Sequence, residues 1–209
     1  MSLYKIDLKA GVGVWKMTET PTQLLAMLHH KEWYNQALKD YKKTFRQREW
    51  LACRVLLCQL LGEEKQIAYK PSGAPYLIDQ SAQISFSHTK DYVAIQVTPP
   101  DQIAGVDIET IAPRIKKVVD HFLSAEEQRF LCVSDHETEP LLIAWCAKET
   151  LIKMIDQKAI DITKHLTIQP FKLCPTGLLT ASVQNNTVQD FLLHYEIDQD
   201  YVLVYHDSI

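Results

Sequence analysis

YVAIQVTPPDQIAGVDIE, residues 92–109, is the stretch from which the fold can be read. Tyr92 to Val97 is rich in β-branched and aromatic residues and reads as a strand. Pro99-Pro100-Asp101 cannot continue a ladder, because proline has no amide to donate, so it reads as a linker. Ile103 to Ile108 then reads as a second strand. Working outward, the same order of strand, helices and strands appears on both sides. Upstream lie a strand from Leu3 to Leu8 and a helix opened by Thr20-Pro21 and running to about His30. A second helix spans Thr44 to Leu61 and is closed by Gly62. A turn-rich loop, Lys70 to Pro75, and a strand from Gln83 to Phe86 follow. Downstream, Ser124-Ala125-Glu126-Glu127 forms a capping box and Leu141 to Ile155 a strongly apolar helix. Strands follow at Leu166–Ile168, Leu178–Val183, Phe191–Ile197 and Tyr201–Tyr205, with Asn185-Asn186 as a tight turn. The expectation is an α+β chain of two similar lobes, residues 1–102 and 103–209, with a ligand site at the seam.

Charge separates the halves. Residues 1–102 carry 13 Lys and Arg against 10 Asp and Glu, whereas residues 103–209 carry 9 against 16. The net charge of −4 excludes a strongly basic nucleic-acid coat. The densest basic stretch, Lys39 to Arg48, is either a solvated helix face or a small anion site. Cys53, Cys58, Cys132, Cys146 and Cys174 form no C-x-x-C pair, and their odd number fits reduced thiols in a cytoplasmic protein. The start, MSLYKIDLKAGVGVW, does not read as a signal peptide, and no apolar run is long enough to span a membrane. Gly11 and Gly13 begin a dinucleotide fingerprint that Lys16 leaves incomplete.

Three segments carry chemistry. On a strand, Asp107 and Glu109 project to the same side while Val106 and Ile108 face the other. Two adjacent carboxylates repel and favour a cation, though taken alone the pair also suits a solvent-facing strand edge. On the helix, Trp145, Glu149 and Lys153 stand four apart and form one stripe. An exposed Glu–Lys pair would mean little, but this helix is apolar nearly all round, and buried charges need a purpose. Third, Ser85-Phe86-Ser87-His88-Thr89 ends a strand with hydroxyls and an imidazole that can hold phosphate, or forms a plain turn. There is no nucleophile elbow and no P-loop. Together the segments point to phosphate or pyrophosphate chemistry with a divalent metal.

The order S-H at 87–88, G-V-D-I-E at 105–109 and W-x-x-K-E-x-x-x-K at 145–153 resembles the Sfp-type 4'-phosphopantetheinyl transferases. F-L-S-A-E-E at 122–127 resembles a further family segment, and Arg48-Glu49-Trp50-Leu51 with Arg54 resembles its N-terminal region. The resemblance implies a pseudo-dimer of two α+β lobes with coenzyme A between them. It implies Mg²⁺-dependent transfer of 4'-phosphopantetheine to a serine of an apo acyl or peptidyl carrier protein, releasing 3',5'-ADP. Carried over by position, Asp107, Glu109 and Glu149 would hold Mg²⁺, and Glu149 would also be the general base. Lys153 would hold phosphate oxygens and offset charge on the leaving group. Arg48, Ser87, His88 and Lys148 would contribute to coenzyme A binding, Arg48 at the 3'-phosphate. The expected partners are the carrier and coenzyme A, with no nucleic acid and no membrane, and a monomer suffices.

The family's frequent Gly-Lys-Pro is Gly73-Ala74-Pro75 here, which removes one coenzyme A lysine contact. Its later Gly-Lys-Gly is Gln157-Lys158-Ala159. Arg114, Ile115, Lys116, Lys117 and Val119 are the expected basic and apolar docking patch for the acidic carrier. The competing readings are a non-catalytic module that binds coenzyme A or the carrier, and a phosphohydrolase using the same metal site.

Overall fold

The computed structural model describes residues 3–131, 138–156, 160–185 and 187–207. The chain is a mixture of helix and sheet in two compact units, residues 1–102 and 103–209.

The first unit opens with β1 (Leu3–Asp7) and β2 (Val12–Lys16), which pair antiparallel. Three helices follow: α1 (Pro21–Ala26), α2 (Glu32–Asp40) and α3 (Thr44–Leu61). Thr20 and Gln23 form a reciprocal capping box at the start of α1, with Pro21 at its first turn. α1 ends at Ala26, earlier than the expected His30, and α2 was not foreseen from the sequence. α3 spans the expected residues. Gly62 ends it in the left-handed conformation at φ 74, where its amide donates to the Cys58 carbonyl. A small hairpin, β3 (Ile67–Tyr69) and β4 (Pro75–Leu77), encloses the turn-rich loop. The strands β5 (Gln83–His88) and β6 (Tyr92–Thr98) complete a four-stranded antiparallel sheet of order β1-β2-β6-β5. The core lies between the sheet and α3: Val55, Leu56 and Leu57 pack with Trp15, Val93 and Ile95.

The second unit holds a five-stranded antiparallel sheet of order β7-β11-β10-β9-β8. Its strands are β7 (Val106–Thr110), β8 (Leu166–Ile168), β9 (Thr176–Gln184), β10 (Val188–Ile197) and β11 (Tyr201–His206). Two 3-10 turns, Pro113–Lys117 and Val119–His121, lead into α4 (Ala125–Leu131). α5 (Glu139–Ile155) packs across the sheet, and α6 (Ile162–His165) is a single turn capped by Asp161. The β9–β10 connection closes through Asn185 and Thr187; Asn186, expected in that turn, lies outside the described residues, as do Cys132 and Gln157-Lys158-Ala159.

α5 is buried on most of its circumference, as its composition foretold. Leu141, Ile143, Ala144, Ala147 and Leu151 enter the core with Leu193, Val202 and Val204. Gly105 lets the helix approach β7 closely: a Cβ there would stand 2.3 Å from Met154 Cγ. The four described cysteines are free thiols. No described helix is long and apolar enough to cross a membrane.

Candidate active site

β7 and α5 build the site in the second unit. Asp107 and Glu109, two apart on β7, both meet α5. Lys153 Nζ donates to Asp107 Oδ1 at 2.7 Å and to the Val106 carbonyl at 2.9 Å. Eight residues earlier on the same helix, Trp145 Nε1 donates to Glu109 Oε1 at 3.3 Å. The stripe is thus held against the strand at both ends. Glu149 lies midway between those ends on the same face. Asp107 is 5% exposed and Glu109 and Glu149 are partly buried.

The charge of Asp107 acts on both Glu109 and Glu149, and that of Glu109 acts on Glu149. Burial pushes Glu149 above the ordinary glutamate value, the charges of Asp107 and Glu109 push it further, and Lys153 opposes them. Burial likewise raises Glu109, reinforced by Asp107 and opposed by the Trp145 hydrogen bond, Arg114 and Lys153. Cys146, wholly buried behind the pair, is pushed well above the usual thiol range by burial and by both carboxylates.

No cluster of three His, Cys, Asp or Glu side chains among the described residues is gathered closely enough to hold a metal ion. The donor types, though not their present spacing, suit a hard divalent cation. All three groups offer carboxylate oxygens, and their mutual repulsion in a half-buried setting is what a cation relieves. One consequence is measurable. Glu109 and Glu149 are raised, so their ionisation opposes folding of the metal-free chain, and the stability they contribute in acid is lost as pH rises through their shifted values. Saturating Mg²⁺ is expected to raise Tm by about 5 °C near pH 7.5 and by much less near pH 5. Differential scanning fluorimetry checks this; an equal rise at both pH values would reject a carboxylate site.

Lys148 departs from expectation. It is fully buried, and its ammonium donates to the Phe122 carbonyl and Glu127 Oε2, both at 2.8 Å, with the Ile162 carbonyl at 3.5 Å. It is therefore corrected from a coenzyme A contact to an internal tie. The docking patch is also corrected in part. Ile115 is buried in the core and Val119 packs against it, whereas Val118 is the exposed apolar residue of that segment. Arg114 is 76% exposed and lies 3.8 Å from Glu109 Oε2. Beside them opens a cavity of about 380 Å³, lined by Glu109, Arg114, Ile115, Lys117, Val118 and Trp145 among others.

The first unit gathers the remaining residues. Ser87 is buried in β5 and His88, at its end, is half-exposed. His88 Nδ1 stands 3.9 Å from Glu49 Oε1, and Arg46 donates to Glu49 Oε2 at 2.9 Å. Arg48 donates to the Lys90 carbonyl at 3.4 Å, and its Nε is buried with no hydrogen-bond partner among the described residues. A cavity of about 280 Å³ is lined by Tyr41, Arg46, Trp50, Arg54, Gly73 and His88 among others. Arg54 stands out in the sequence only as part of the Arg48-Glu49-Trp50-Leu51 motif region. It is 5% exposed, its guanidinium lies 3.6 Å from the centre of the Trp50 ring, and it donates to Tyr69 Oη at 2.7 Å. An arginine set in the apolar second half of the helix, between Cys53 and Val55, is the available signal.

Residues 103–205, which include β7 and α5, match the family model of the 4'-phosphopantetheinyl transferase superfamily. The match assigns the second unit to that superfamily. No curated protein matches the chain. Membership supports a transferase, and phosphopantetheine transfer in general, as its chemistry. The acidic pair of β7 and the Glu149–Lys153 stripe both fall inside the matched segment.

Proposed function

We propose that the chain transfers 4'-phosphopantetheine from coenzyme A to a serine hydroxyl of an apo acyl or peptidyl carrier protein, releasing 3',5'-ADP, in the cytoplasm. The observation that carries this reading is the double attachment of α5 to β7, Trp145 to Glu109 and Lys153 to Asp107, with Glu149 between. Glu149 takes the serine proton, and burial with the charges of Asp107 and Glu109 raises its affinity for a proton above that of an ordinary glutamate. The serine oxygen bonds to the phosphorus that carries pantetheine. The bond from that phosphorus to the bridging oxygen breaks, and the electron pair leaves on 3',5'-ADP. Lys153 supplies an ammonium to phosphate oxygens and offsets the leaving charge. A divalent cation, with Asp107, Glu109 and Glu149 as its candidate ligands, would supply charge neutralisation at the pyrophosphate. Arg48, Ser87 and His88 are the proposed coenzyme A contacts of the first unit, joined there by Arg54. The test is release of 3',5'-ADP on mixing the protein with coenzyme A, Mg²⁺ and an apo carrier. Release that requires the carrier supports the reading, and release without it contradicts transfer.

The cavity beside Glu109 is the proposed seat of the carrier, lined by the apolar Val118 and Trp145 and the basic Arg114 and Lys117, with Lys116 next to them on the same 3-10 turn. Reversing both charges with Lys116→Glu and Lys117→Glu is expected to raise KM for the carrier about 10-fold while KM for coenzyme A holds. Steady-state kinetics decide, and an unchanged carrier KM would remove the rim from the docking surface.

A further inference from the structure

Lys148 precedes Glu149 on α5 but serves a different purpose. Its ammonium meets the Phe122 carbonyl, Glu127 Oε2 and the Ile162 carbonyl. Glu127 in turn accepts from the Ser124 amide at 2.7 Å and, through Oε1, from the Ile168 amide at 2.8 Å. One buried ion pair therefore joins α5 to the cap of α4, to α6 and to β8. Both partners are at most 1% exposed. Stability alone is a poor account of such a pair, because well-packed apolar residues of similar volume are often as stable or more so. What the pair adds is direction. Its donors and acceptors come from four segments, so α5 can satisfy them at one rotation about its axis only. Successive helix residues differ by a fixed angle, so fixing Lys148 fixes Glu149. A turn of α5 by roughly 20° would move the Glu149 carboxylate on the order of 2 Å.

We propose that Glu127 and Lys148 are positioning residues that set the rotation of α5, and with it the alignment of Glu149 and Lys153 for phosphopantetheine transfer. This rests on the functional reading above. A misplacement of about 1 Å can cost about 100-fold in rate.

The test compares the wild type with Glu127→Gln, Lys148→Met and the double variant Glu127→Leu/Lys148→Met. Removing one partner leaves a buried charge, so the single variants are expected to lose about 10 °C in Tm. The double variant, with no buried charge, should regain most of that loss. It should still exchange its α5 amides at residues 145–153 at least about 10-fold faster than the wild type. Its kcat should remain about 100-fold down, with KM for coenzyme A within about 3-fold. A double variant that recovers both Tm and kcat, or wild-type exchange across α5, overturns the proposal. So does failure of every variant to fold, which would make the pair an element of stability. If the wild type transfers nothing to any carrier, the functional reading fails, while the exchange comparison still decides whether the pair sets α5.

Discussion

Replacing Glu149 by Gln is expected to lower kcat about 1,000-fold while coenzyme A binds with near-normal affinity. The substitution keeps size and polarity but removes the group that would accept the serine proton. A positioned general base contributes about 100- to 10,000-fold. The pH profile adds a second reading. Burial and the charges of Asp107 and Glu109 hold Glu149 above the ordinary glutamate value, so wild-type activity should fall on the acid side through that raised value. The Gln variant should lack this limb. Stability should move the other way. A carboxyl with a raised value contributes stability in acid that is lost as pH rises, so at neutral pH its ionised form opposes folding. The variant should therefore match or exceed the wild-type Tm in the metal-free state. Rapid-quench kinetics and thermal unfolding together check this, and near-normal turnover would remove Glu149 as the base.

Lys153→Met is the second large effect, and it should damage both stability and rate. The ammonium that faces Asp107 at 2.7 Å and the Val106 carbonyl at 2.9 Å is lost, while Asp107 stays buried at 5% exposure. Loss of a hydrogen-bonded charge partner at such a site costs about 2 kcal/mol. In a chain of this length that is a fall in Tm of about 6 °C. Removing a cation aimed at developing phosphate charge should lower kcat about 100-fold as well. The contrast with Glu149→Gln is diagnostic: one variant loses rate without stability, the other loses both. A Lys153→Met protein with wild-type kcat would place Lys153 in the structural frame alone.

Much of this arrangement was legible from local pattern, and the exceptions have physical causes. α3 was readable because its apolar spacing is helical and Gly62 supplies the left-handed cap. The Asp107–Glu109 pair and the Trp145–Glu149–Lys153 stripe follow from periods of two and of 3.6. β2 was missed because this central strand is buried at Val12, Gly13, Val14 and Trp15 and shows no alternation, while its glycines drew attention to a nucleotide loop. α2 escaped because it is short and polar and buries only Tyr34. Ser124 and Glu127 announced a capping box, but the partners of Glu127 at Lys148 and Ile168 lie 21 and 41 residues away. Lys148 looked like a ligand contact because it adjoins Glu149 in sequence. One residue along a helix is a large rotation, and that rotation carries its side chain inward. Ile115 sits between basic residues, yet a 3-10 turn aims it into the core.

Intact-mass spectrometry of a panel of apo carrier proteins, incubated with the chain, coenzyme A and Mg²⁺, tests the central claim most directly. The account predicts that at least one carrier gains the mass of one phosphopantetheine on its serine, with one 3',5'-ADP released per modification, and that EDTA abolishes both. Coenzyme A binding with no mass gain on any carrier would contradict it in favour of a non-catalytic binder, and 3',5'-ADP formed without a carrier would contradict it in favour of hydrolysis.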